Sequence, residues 1–524
     1  MSKKAAVIGS GFGGLSVAIR LQAAGFKTTI FEKRDLPGGR AYVFKQDGFS
    51  FDAGPTVITA PECIDELFNI AGKDQSKYVK MVPVMPFYRL LFDDGYKFDY
   101  SNDDEQLFSQ IGAKNQRDVE GYKRFLKYSE EVFEQGYTNL VHVPFLNWWS
   151  MIRVAPQLMR LQSPRSVFSM VAKFIKDPHL RTAFSFHTLL VGGNPFTTSS
   201  IYTLIHFLER NWGVHFPIGG TSALVNALVK LFQDIGGTVK FNAEIDEITT
   251  ANGAVTGVKL KDGTIEKFDA VVSNGEIMHT YKDLLRKEPK LDSTRRSLAR
   301  KDYTMSLFLI YFGTDRNWDN LSHHNIIFGP RYKELLKDIF VNKKLADDFS
   351  LYLHNPTVTD PSLAPAGKHA YYVLAPVPNL GDCDVDWDQE APKYADRILT
   401  YLESKYMPGL KKSIVSQRIV TPKYFEKDLN SHLGAAFSLT PNLLQSAFFR
   451  AHNRDDKIKG MYVAGAGTHP GAGVPGVINS GKATAGLVIE DFAGHLGKAS
   501  GATHAGPAHT RRPVETGRSP EAMQ

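Results

Sequence analysis

Apolar positions along this chain change period several times, and each change predicts a different element. Ala5 to Ile8 is a short unbroken apolar run, which predicts a buried strand. Leu15, Ala18, Ile19 and Leu21 then recur at helical spacing, and Thr28 to Phe31 is again β-rich. From Asp103 to Arg210 the pattern is helical, with Val119, Tyr122, Phe125, Leu126 and Ser129 three or four positions apart. A glycine turn and an amphipathic helix follow over 216–237, then strands over 238–250, 254–263 and 269–274. Strands over 305–313 and 371–378, with a helix near Tyr394 to Leu402, predict a second sheet and its cover. Near the end, a strand from Met461 turns through Gly465 and Gly467 and enters a helix at Val474 and Pro475. Proline is favoured in a first helical turn. Beyond about residue 494 periodicity stops and Gly, Ala, Pro, Thr and Ser dominate. Such a segment cannot bury enough surface to offset its ordering entropy, so 494–524 is expected to be a disordered tail.

The first of these elements carry chemistry. Gly9, Gly11 and Gly14 form G-x-G-x-x-G, with Gly13 inside it, between the first strand and the first helix. Gly9 permits the tight turn, Gly11 lets backbone approach a pyrophosphate, and Gly14 lets helix and strand close up. The helix start offers unpaired N–H groups and a positive dipole end to phosphates. Glu32 ends the second strand, 23 residues after Gly9, where it can accept hydrogen bonds from ribose hydroxyls. A dinucleotide site follows from this context and not from the glycines alone.

Composition changes the picture little. A chain of 524 residues exceeds one core and predicts two or three domains. Cys63 and Cys383 are the only cysteines, which gives neither a disulfide framework nor metal-ligand spacing, and no metal is expected. No apolar run reaches spanning length, and no secretory signal is expected, since the glycine motif begins almost at Met1. The net charge of +7 suits an anionic surface. It does not point to nucleic acid, because the basic residues are interleaved with bulky aliphatics and no recognition module accompanies them.

A second glycine cluster, Gly38-Gly39-Arg40, is followed by Gly54, Pro55 and Thr56. Arg40 suits a phosphate, since its planar fork donates bidentately and keeps its charge. Together with Glu32, these motifs resemble the FAD-binding pattern of the amine-oxidase/phytoene-desaturase superfamily. The closing run Gly465-AGTHPGAGVPGV resembles the signature of bacterial and fungal carotenoid desaturases, and the stretch from Phe184 to Arg210 resembles their phytoene desaturase branch. The resemblance spans about residues 4–493. It implies an α/β and α+β fold: a Rossmann-like FAD-binding domain built from discontinuous segments, a mixed-sheet substrate domain, and a helical, membrane-facing subdomain. Expected boundaries are 1–100, 215–290 and 450–493 for the FAD domain, 101–214 for the helical subdomain and 291–449 for the substrate domain.

The resemblance further implies that Lys33, Ile245, Gly467, Thr468 and Val477 join the named glycines, Glu32, Arg40 and Thr56 around FAD. It implies a polyene substrate such as phytoene, recognised by an apolar tunnel and by length. Candidate lining residues are Phe184, Phe186, Leu189, Leu190, Phe196, Tyr202 and Phe207. Desaturation removes a hydride and a proton; His469 and His187 are the candidate proton acceptors, beside water, the reduced flavin or a carboxylate. No second glycine fingerprint suits a nicotinamide, so a membrane quinone or oxygen is the expected electron acceptor. Residues 144–177 mix aromatics and aliphatics with cations. Trp148, Trp149, Arg153 and Arg160 are placed at a lipid headgroup boundary, with Pro156 and Pro164 dividing the segment into short helices. The expected location is peripheral, on the cytoplasmic face of the cell membrane. Hydroxycarotenoid or C30 desaturases, a carotenoid isomerase and a non-catalytic prenyl-lipid binder remain as alternatives; oligomeric state is not read from the sequence.

Overall fold

The computed structural model describes residues 2–139, 141 and 148–495. The expected tail therefore lies outside the described residues, apart from its first two positions. At the centre of a five-stranded parallel sheet is Lys4–Ile8, flanked by Ala270–Ser273 and Lys27–Phe31. Met461–Val463 and Thr238–Lys240 complete its two edges. Strands from both ends of the chain thus share one sheet. Parallel strands covered by helices read as apolar runs. Leu15 and Ile19 of helix Phe12–Ala23, Leu228 of helix Thr221–Asp234 and Leu487 of helix Val474–Phe492 share a core with Val7 and Val272. The first and last of these helices approach very closely. A Cβ on Gly481 would lie 2.6 Å from Ser16 Cβ, and the Ser16 hydroxyl donates to the Ile478 carbonyl at 2.8 Å.

A seven-stranded mixed sheet forms the second layer. Its order is Ile414–Val420, Ser306–Thr314, His369–Val377, Leu351–His354, His324–Phe328, Tyr88–Phe92, Lys97–Tyr100. Every residue of Ser306–Thr314 is buried, because the strand serves two cores. Phe308, Ile310 and Phe312 meet Trp387 and Tyr394 of helix Trp387–Lys405, while Leu307, Leu309 and Tyr311 join the core of Phe49 and Phe51. The strands at 88–100 pair here, Tyr88–Phe92 running parallel to His324–Phe328. The chain therefore crosses between sheets before the boundary expected at residue 100. A strand's own sequence does not state which edge it will join.

Helix Asp104–Phe133 is kinked at Asn115 and buries Tyr122, Phe125 and Ser129, three of the five positions named from periodicity. Helix Trp148–Arg160 runs through Pro156 where the sequence predicts a break. Pro156 lies on an exposed face. There, water can satisfy the carbonyl that loses its intrahelical partner. No helix among the described residues is long and apolar enough to cross a membrane.

Candidate active site

The turns after the parallel strands converge on one point, and packing there excludes side chains. Gly9 has φ +95°, and its N–H donates to the Phe31 carbonyl at 2.8 Å. A Cβ on Gly14 would fall 2.1 Å from the Gly9 carbonyl oxygen; one on Gly13 would fall 3.3 Å from Gly465 Cα. Glu32 is buried beside this turn. Its Oε2 accepts from the Ser10 N–H at 3.0 Å and hydroxyl at 2.6 Å, and its Oε1 from the Arg34 N–H at 3.0 Å. Gly54 passes under Arg40 so closely that a Cβ would lie 2.0 Å from the Arg40 carbonyl oxygen.

Asn274, which the sequence reading did not single out, ties these segments together. It ends the Ala270–Ser273 strand, donates from its backbone to the Ile8 carbonyl at 2.8 Å and from Nδ2 to the Ala464 carbonyl at 3.1 Å. A Cβ on Gly13 or on Gly465 would lie 2.6 Å from its Nδ2. A polar residue at the carboxyl end of a parallel strand was the signal available for it.

One cavity of about 610 Å³ starts at this cradle and continues into an apolar chamber. Gly9, Gly11, Gly13, Glu32, Lys33, Gly38, Gly39, Arg40, Thr56, Ile245, Gly465, Gly467, His469 and Val477 line it. Gly14 and Thr468 stand behind the wall. The Thr468 hydroxyl lies 2.7 Å from that of Ser480, within a polar clasp around buried Asn453. Of the proposed substrate-lining residues, Phe186, Leu189, Leu190 and Tyr202 reach the cavity. Phe184, Phe196 and Phe207 pack elsewhere: Phe184 against Tyr122, Phe196 against Phe168, Phe207 against Phe133. The far wall comes from the second sheet, through Leu307, Leu309, Tyr352 and Tyr372. None of these carries a motif.

Two guanidiniums face the cavity, that of half-buried Arg40 and that of buried Arg450. Arg40 donates to the Ser431 hydroxyl at 2.6 Å, and its Nε has no hydrogen-bond partner among the described residues. Burial lowers its pKa, and the charge of Glu276 partly offsets that. Burial raises the pKa of Glu276 itself, while the His279 and Met278 N–H groups and Arg40 act against the rise. Arg450, missed by sequence reading, donates to the Ala466 carbonyl at 2.6 Å and packs 3.5 Å from where a Gly471 Cβ would stand. His187 is buried behind the wall, with Nε2 3.1 Å from Glu209 Oε2 but off the line a hydrogen bond needs. Glu209 instead accepts from the Tyr88 hydroxyl at 2.7 Å.

The cradle fits an anionic dinucleotide. Helices Phe12–Ala23 and Val474–Phe492 both begin at the cavity without a side-chain cap, leaving first-turn N–H groups for a ligand. The half-buried Arg40, whose Nε has no hydrogen-bond partner among the described residues, stands beside them, and the glycines leave room for a ligand to lie against backbone.

Helix Trp148–Arg160 contributes to the chamber wall. Val154 and Leu158 line the cavity, whereas Trp149, Ile152 and Met159 on other faces are exposed, by 59%, 47% and 65%. The helix packs against the Ala447–Phe449 turn, where Phe449 is also exposed. Arg160 lies 3.6 Å from Glu131, and the side chains of Trp148 and Arg153 lie outside the described residues.

The family model for flavin-containing amine oxidoreductases matches residues 12–489. The lycopene-forming phytoene desaturase of Pseudescherichia vulneris is 58% identical over 490 residues, covering 94% of this chain and 100% of the relative. That of Pantoea ananas is 56% identical, covering 94% and 100%. The neurosporene-forming phytoene desaturase of Rhodobacter capsulatus is 44% identical, covering 93% and 94%. Among solved structures, an oxidoreductase from Methanosarcina mazei has a TM-score of 0.63 at 18% identity, covering 93% and 100%. Putrescine oxidase bound to putrescine has a TM-score of 0.62 at 15% identity, covering 94% and 99%. These two likenesses speak for the fold alone. Sequence and architecture agree: the chain belongs to the flavin-containing amine oxidoreductase family, in its phytoene desaturase branch.

Proposed function

We propose that this protein is an FAD-dependent phytoene desaturase of carotenoid biosynthesis, introducing double bonds into a C40 polyene towards neurosporene or lycopene. One observation carries the reading: the glycine cradle and a long apolar wall bound the same cavity. FAD bound in the cradle supplies the acceptor for an allylic hydride. The starts of helices Phe12–Ala23 and Val474–Phe492 and Arg40 would hold its pyrophosphate, while Glu32 holds the turn through Ser10 and Arg34. Leu190, Leu307 and Leu309 keep water from the reacting carbons, and a hydrocarbon gives them nothing to bond but shape. His469, on the wall, is the stronger of the two histidine candidates for taking the proton; His187 lies behind it.

The exposed apolar face of helix Trp148–Arg160 supports a peripheral membrane location, where a substrate passes from lipid into the chamber without crossing water. A quinone dissolved in that bilayer, or oxygen, would serve as the electron acceptor.

Expression in cells that accumulate phytoene tests the activity. A red polyene spectrum with lycopene or neurosporene is expected, and persistence of phytoene alone with FAD-loaded protein overturns the reading. For the membrane, Trp149→Glu with Met159→Glu is expected to abolish flotation with anionic liposomes; unchanged flotation removes the interfacial helix.

A further inference from the structure

On the sheet side of the cavity three histidines meet. His324 opens the His324–Phe328 strand, His354 closes Leu351–His354, and the antiparallel register sets them directly opposite. Opposite residues on neighbouring strands share a face. Their rings lie 5.3 Å apart at 22°, with the two Nδ1 atoms 3.4 Å apart. In a regular strand His323 would face the other way. Here Asn325 folds the strand entry back, accepting from the Ser322 N–H at 2.9 Å and donating to its carbonyl at 2.7 Å. The His323 ring consequently stands 4.4 Å from that of His324 and 4.8 Å from that of His354. One ring nitrogen from each histidine falls within 4.8 Å of the other two, and all three residues are buried.

We propose that His323, His324 and His354 form a binding site for a divalent transition-metal ion of the zinc class, just behind the cavity wall. The 3.4 Å between the His324 and His354 nitrogens matches a zinc tetrahedron. Four nitrogens about 2.05 Å from the metal stand about 3.3 Å apart. The 4.8 Å limit leaves only a modest swing of one ring to close the triangle. The rings are also held from outside. Thr359 Oγ1 lies 2.6 Å from His323 Nδ1, and the Phe216 ring packs across His323 with centroids 4.6 Å apart. Such outer partners fix the orientation of ligating histidines.

A fourth position is also at hand. The Tyr352 hydroxyl lies 2.7 Å from His324 Nδ1 and 3.3 Å from His354 Nδ1. The same hydroxyl is bonded to Thr56 at 2.9 Å and lines the cavity, so an ion here pins the wall that faces the substrate chamber. With His323 Nδ1 taken by Thr359, the His323 Nε2 is left as its candidate ligand atom, and it lacks a hydrogen-bond partner among the described residues. Three imidazoles without a thiolate favour zinc, cobalt, nickel or copper over magnesium or calcium.

The test uses the full-length, FAD-loaded protein equilibrated with zinc and then dialysed. One zinc per chain by mass spectrometry and a raised melting temperature are expected, with both lost in His323→Asn and His354→Asn while flavin content is kept. Cobalt in place of zinc is expected to give the intense visible bands of a tetrahedral site. Equal zinc uptake by wild type and His354→Asn, or none by wild type, overturns the proposal. Should the variants fail to fold, the cobalt spectrum of the wild type decides: weak octahedral bands alone overturn it. None of these readouts depends on desaturase activity.

Discussion

The two halves of the cavity are built on opposite principles. In the cradle, backbone meets backbone: Gly14 against the Gly9 carbonyl, Gly13 against Gly465, Gly54 against the Arg40 carbonyl. No other residue fits those places, and one polar side chain, Asn274, bridges the turns. In the chamber, side chain meets side chain. Leu190, Leu307, Leu309 and Leu374 contribute shape, and another apolar residue of similar volume would serve. The cradle is therefore specified by identity and the chamber by volume, and substitutions should separate them.

The largest effect is expected at Gly14. In Gly14→Ala the new methyl group cannot be accommodated without moving the first turn. We expect loss of bound FAD, read as the ratio of flavin to protein absorbance, and destabilisation of about 3 kcal/mol in a denaturant titration. A variant that retains full flavin would remove the backbone account of the cradle.

Arg40→Ala comes next. Hydrogen bonds to charged groups are worth about 1.5–3 kcal/mol, so FAD affinity is expected to fall about tenfold to hundredfold, measured by flavin fluorescence on reconstitution. Arg40→Lys should recover only part of it, since a point charge does not reproduce the fork. Full recovery would mean that charge alone matters there.

On the chamber side, Leu309→Trp should leave flavin content unchanged and shift the products towards less desaturated polyenes. A change of shape in an apolar pocket is worth about 1–3 kcal/mol, so lycopene formation should drop about tenfold or more, by chromatography of pigment extracts. Lost flavin instead would erase the division between the halves.

The smallest effect is expected at their seam. Asp52 accepts from the Thr221 N–H at 2.9 Å, and burial raises its pKa to about 6. A carboxyl whose folded pKa is raised binds its proton more tightly when folded. Its contribution is full below the unfolded value of about 4 and is lost as pH rises through about 6. Asp52→Asn keeps an oxygen for the helix start, so it should flatten the pH dependence of the melting temperature between about 4 and 6. A slope equal to that of the wild type would assign the dependence to other groups.

Legibility in the sequence followed the same division. Each cradle glycine answers a local backbone need, so Gly9, Gly11 and Gly14 with Glu32, and the closing strand, turn and Pro475 helix, were readable in place. Phe184, Phe196 and Phe207 were chosen as apolar residues in the matching stretch, and all three pack into other cores. Composition cannot distinguish an apolar residue that lines a cavity from one that fills a core. Pro156 marked a helix break that an exposed face made unnecessary.

By itself, then, the sequence determined the glycine turn after the first strand, the acid that ends the second strand, and the strand, turn and proline-led helix near residue 475. Those rest on steric constraints that act within a few residues and admit one or two amino acids. Tertiary structure alone decided the rest. It placed the strands at 88–100 on the second sheet, set Leu307, Leu309 and Tyr352 opposite the cradle, and seated Asn274 and Arg450 between turns. It also brought His323 and His324 against His354 through a strand register. Strand order and register are set by which faces bury together, and that free energy is defined only once distant segments meet.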